Sequence, residues 1–81
     1  MNSERAKYLG RKAELETDIK RMEIRANGMI ETIRSNLDPT ADLADLDIEA
    51  VAVTAVELSD LHLKYLSDLK RLRKVKDILG E

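Results

Sequence analysis

Three groups of residues have the chemistry to do something beyond folding. They are His62, the acids Asp42, Asp45 and Asp47, and the run Lys70-Arg71-Leu72-Arg73-Lys74-Val75-Lys76. His62 is the only histidine, and a lone imidazole needs co-ligands to hold a metal. Helical di-iron proteins supply them as Glu-x-x-His pairs, but the residue three before His62 is Ser59. The expected role is therefore a polar layer in a helix seam, with hydrogen bonds to Tyr65, to the neighbourhood of Lys20 or to a partner chain. The acids lack the EF-hand order with its glycine and terminal glutamate, so they read as helix caps and solubilising charge. No phosphate-binding glycine loop, dinucleotide fingerprint or zinc-protease motif occurs, and Ser3, Ser35, Ser59 and Ser67 stand in no His–acid pattern. The expectation is a protein that is not an enzyme, with no metal and no cofactor.

The basic run is the sharper candidate. Joined by Arg5, Lys7, Arg11 and Lys12, the residues Lys70, Arg71, Arg73, Lys74 and Lys76 form a candidate nucleic-acid contact that would neutralise phosphates. The simpler reading is a solvated helix end whose cations complement the helix dipole. The simpler reading is preferred, because no aromatic stacking residues or recognition-helix motif accompany the charges.

The elements that must position these residues follow from composition. The 81 residues are 43% hydrophobic and 37% charged, with no Trp, Phe or Cys. That profile belongs to long helices and coiled coils. A chain this short gains only a few kcal/mol from its own core and usually needs partners or exceptional packing. Without cysteine there is no disulfide and no thiol chemistry, which suits a reducing compartment. No run approaches the ~20 apolar residues of a membrane span and the first residues carry no signal-peptide core, so a soluble cytoplasmic protein is expected.

The net charge of −2 hides an uneven distribution. Residues 1–37 hold eight bases and six acids, residues 38–60 seven acids and no base, and residues 61–81 six bases and three acids.

The spacing predicts two helices, about 3–36 and 47–79, joined by a turn over about 37–46. Pro39 lacks an N–H and pushes Asp38 out of helical geometry, so the first helix must stop before it. Ser3 is the expected cap of that helix, and its seam reads Tyr8, Leu15, Ile19, Met22, Ala26, Met29 and Ile33, in threes and fours. Lys12 breaks the stripe and is expected to lay its stem along it. Gly10 and Gly28 are expected within the helix, because the stripe keeps its phase across Gly28.

Asp47 is the expected cap of the second helix and Gly80 its stop. The second seam reads Ile48, Val51, Ala52, Ala55, Leu58, His62, Tyr65, Leu69, Leu72 and Leu79, with Leu61, Leu66, Val75 and Ile78 on its flanks.

Folding at a pivot near residue 42 gives an all-α antiparallel hairpin in which Met22 meets His62, Ile19 meets Tyr65 and Leu15 meets Leu69. The basic open end is expected to be the looser one. A two-helix hairpin has a single seam, and the apolar arc of the second helix is wider than that seam requires. A homodimer, two hairpins forming a four-helix bundle, is therefore expected. Its interface is assigned to Leu58, Leu61, His62, Tyr65, Leu66, Leu69 and Leu72.

Arg11-Lys12-Ala13-Glu14-Leu15, Ile33-Arg34 with Leu37-Asp38-Pro39, and the Ala50, Ala52, Ala55, Leu58 series ending at Leu79-Gly80 carry a resemblance over most of the chain. The pattern resembles small helical-hairpin proteins of Mu-like phages and prophages. The resemblance implies a phage-derived accessory protein of the bacterial cytoplasm and brings no catalytic residues with it. The function expected is a non-enzymatic interaction or assembly module, with a small nucleic-acid-associated regulator as the alternative.

Overall fold

Proline chemistry sets the bend. In the computed structural model, which describes residues 3–81, helix α1 runs Ser3–Asn36 and stops three residues before Pro39. Ser3 is already the first helical residue, and the cap position before it lies outside the described residues. The Asp38 carboxylate then accepts from the Thr40 backbone N–H at 2.9 Å and from its hydroxyl at 2.7 Å. These bonds, the backbone one foremost, hold the Asp38 carboxyl below its ordinary pKa. A short 3-10 turn, Leu43–Asp45, completes the loop. It was not visible in the pattern, because three residues are too few to show periodicity.

Helix α2 runs Ile48–Leu79, and both of its ends are capped as the sequence predicts. The Asp47 side chain accepts from the Ala50 N–H at 3.0 Å. At the other end Gly80 takes the left-handed conformation at φ 79°, the Gly80 N–H donates to the Asp77 carbonyl and that of Glu81 to the Lys76 carbonyl. This pair of bonds is a Schellman closure, which favours a residue without a Cβ.

The two helices lie antiparallel in a rod of 65 × 15 × 15 Å. Among the described residues there is no strand, and no helix is long and apolar enough to cross a membrane. Helix α1 continues through Gly28, and a Cβ there would meet open space. Gly28→Ala should therefore stabilise the protein by about 0.5–1 kcal/mol through lower unfolded-state entropy. Thermal unfolding followed by circular dichroism will show the rise in Tm. A fall would mean that Gly28 is needed for close approach by another molecule.

The seam of α1 is the predicted one: Leu15, Ile19 and Met22 are buried, and Tyr8, Lys12, Ala26, Met29 and Ile33 are half-buried. The seam of α2 differs from the expectation. It keeps the row Val51, Leu58, Tyr65, Leu72 and Leu79 and the half-buried Leu69, but completes it with Thr54, Leu61, Asp68 and Val75 rather than Ala55 and His62. His62, Ala52 and Ala55 are exposed, and Asp68 is buried. One heptad position separates the two choices, a rotation of about 50° of α2 about its axis. An apolar count favours the wrong flank, because the true one contains an aspartate and a threonine.

The packing forms two groups. Ile19, Met22 and Leu61 bury one another, with Ala26, Met29, Tyr65, Leu69 and Leu72 against them. Leu15, Val75 and Leu79 form the second, with Tyr8 and Leu72. Leu15 thus packs further along α2 than the expected Leu69, because Val75 and Leu79 carry the seam to the open end. That end is also tied by the Lys12–Glu81 ion pair and by Arg5, whose guanidinium donates to the Leu79 carbonyl at 3.5 Å. The hydrogen bond with Glu81 raises the Lys12 pKa and lowers that of Glu81. The open end, expected to be loose, is fastened. The closed half is the thinly packed one: no residue between Met22 and Leu61 is buried.

Candidate interaction face

Rotating α2 towards Leu61 and Asp68 leaves its other apolar flank uncovered. Counting in sevens from the seam, Ile48, Ala55, His62 and Leu69 occupy the adjacent row. Ala52, Ser59 and Leu66 occupy the next row, and Val56 and Leu63 the one beyond. All of these except the half-buried Leu69 are exposed. Leu63 keeps 65% of its surface in water and Leu66 48%. A large apolar strip of this kind is uncommon on a chain that works alone.

Between this strip and α1 lies a groove of about 480 Å³. Met22, Ala26 and Ile30 of α1 form one wall, and Ala55, Leu58, Ser59, His62 and Tyr65 of α2 the other. Its polar rim is Glu23 and Asn27. The Tyr65 hydroxyl donates to the Glu23 carboxylate at 2.9 Å, which ties the two walls together and raises the Tyr65 pKa. The groove lies in the closed half because small side chains, Ala26 and Ala55, leave the space between the helices unfilled.

The opposite face has a different character. There Arg11, Glu14, Asp18, Lys64, Asp68, Arg71 and Lys74 line a second groove in which the charges alternate in sign. Asp68 lies within it at 4% exposure, and its carboxylate is 3.7 Å from the Arg71 guanidinium, which projects into solvent.

No family model matches this chain, and no curated protein or solved structure matches it significantly. The site must therefore be read from its own residues. Among the described residues no three His, Cys, Asp or Glu side chains are grouped as a metal site would require. His62 lies on the apolar strip facing solvent, not in the seam, so the polar-layer role does not apply within one chain.

The seven residues assigned to an interface divide into two sets. Leu61 is buried inside its own hairpin and reaches the groove with only a small remaining surface. Leu69 and Leu72 are half-buried against the same core. Leu58, His62 and Tyr65 line the groove, and Leu66 stands exposed beside it. The residues missed are Val56, Ser59 and Leu63. Two apolar side chains seven apart, Val56 and Leu63, on the far side of the predicted seam were the available signal.

The basic run also divides. Lys70, Arg71, Arg73 and Lys74 are exposed and Lys76 is half-buried. Arg71 and Lys74 belong to the charged groove, whereas Lys70, Arg73 and Lys76 continue the rows of the apolar strip.

Proposed function

We propose that this protein is a non-enzymatic interaction and assembly module whose working surface is the apolar strip of α2 and the groove beside it. The exposure of Ile48, Val56, Leu63 and Leu66 on one continuous face of a fully formed helix supports this reading. Burying such a face releases about 25 cal/mol per Å² of apolar area, a gain the isolated hairpin forgoes. The module assembles with itself, two hairpins completing the four-helix core that one seam leaves half-built. The nucleic-acid reading is weaker. The bases fall on two faces, and Glu14, Asp18 and Asp68 interrupt the group formed by Arg11, Lys64, Arg71 and Lys74.

The test is the molar mass of the full chain by light scattering, set beside the Leu66→Glu variant. A mass near twice 9.2 kDa is expected for the parent chain. The variant should be a monomer with unchanged helical content, because Leu66 takes little part in the hairpin's own seam. A parent chain that stays monomeric at high micromolar concentration would remove the self-assembly reading.

A further inference from the structure

The apolar strip has a direction. Its first half carries the small residues Ala52, Ala55 and Ser59 beside Ile48 and Val56, and its second half only large ones, His62, Leu63, Leu66 and Leu69. Acids precede it, at Asp45, Asp47 and Glu49, and bases follow it, at Lys70, Arg73 and Lys76. A strip with this gradient cannot complement itself in parallel. Parallel pairing would set Leu66 against Leu66, Ala52 against Ala52, and Arg73 against Arg73 of the partner, leaving gaps at one end and like charges at the other.

We infer that a second copy of the chain covers this strip with its α2 antiparallel to the first and the two-fold axis passing beside Ser59. This inference rests on the self-assembly reading and specifies its geometry. About Ser59, Ala52 faces Leu66 of the partner copy on the central row, so a small side chain meets a large one there; on the two sides of that row Ala55 lies beside the partner's His62 and Val56 beside its Leu63. Glu49 comes within a turn of the partner's Lys70, and the turn that carries Asp45 and Asp47 lies towards the partner's basic open half, so the acidic closed half and the basic open half neutralise one another. Ser59 meets Ser59 at the axis, where two small side chains let the helices approach to the 8–10 Å typical of packed pairs. Each copy thereby covers the other's thinly packed closed half, with the exposed Ile48, Val56 and Leu63. An isologous contact of this kind closes on itself and does not propagate into a filament.

The absence of cysteine from the whole sequence makes the register directly measurable. A cysteine on a two-fold axis lies opposite its own copy, whereas one placed off the axis does not. The full-length Ser59→Cys variant, mildly oxidised at a concentration where the mass is dimeric, should convert largely to a covalent dimer. Leu66→Cys alone should not self-link, but mixed with Ala52→Cys it should yield the crossed dimer. Circular dichroism of each reduced variant checks that the helices are intact.

A dimeric mass with self-linking of Leu66→Cys, or without linking of Ser59→Cys, would overturn this geometry and leave self-assembly standing. A monomeric mass for the parent chain would overturn both.

Discussion

Leu61→Asp is expected to abolish the fold, leaving a chain with little helical signal and no cooperative thermal transition. Leu61 is the α2 residue buried in the central group, at 8% exposure, where it packs with Ile19 and Met22. Truncating a buried leucine to alanine already costs about 2–5 kcal/mol. An aspartate at the same place adds the desolvation of a carboxylate with no partner. A hairpin of this size has only about 3–5 kcal/mol to lose.

Leu66→Asp, five residues on, should keep its helices and lose only its partner, since that side chain is exposed on the opposite flank. The pair of variants, compared by far-ultraviolet circular dichroism, separates folding from assembly. A folded Leu61→Asp protein would mean that α2 turns its other flank inward and that Ala55 and His62 form the seam after all.

Asp68→Leu should act in the opposite direction and raise the melting temperature. Asp68 holds a seam position between Leu61 and Val75, at 4% exposure, with an ion pair of 3.7 Å to a guanidinium that is 70% exposed. A pair of that length, with one partner in water, returns little of what burying the carboxylate costs. Replacing a buried carboxylate held by so long an ion pair with a leucine of fitting volume recovers about 1–3 kcal/mol. For a domain of 60–100 residues each kcal/mol moves Tm by roughly 4–8 °C.

The substitution would also join the two groups of buried residues into one continuous core. An unchanged or lower Tm would show that Arg11, Lys64 and Lys74, which share the groove, stabilise the carboxylate more than the distances imply.

Much of this protein is legible in its residues alone. The spacing Tyr8, Leu15, Ile19, Met22 specifies the seam of α1, because an apolar side chain every three or four residues has one way to leave water on a helix. Pro39 ends α1, Asp47 starts α2 and Gly80 closes it. Each does so through backbone chemistry local to a few positions, which is why these boundaries needed no knowledge of the fold.

The rotation of α2 belongs to the tertiary structure. Its sequence contains two apolar flanks on either side of the row Leu58, Tyr65, Leu72, one through Leu61 and Val75 and the other through Ala55, His62 and Leu69. An apolar count within the helix favours the second, since the first also holds Thr54 and Asp68. The choice depends on which flank the loop turns towards Ile19 and Met22, a long-range condition that places large Leu61 in the core and leaves small Ala55 beside an open groove. That one choice buries an aspartate, exposes the histidine and uncovers the strip on which the proposed assembly depends.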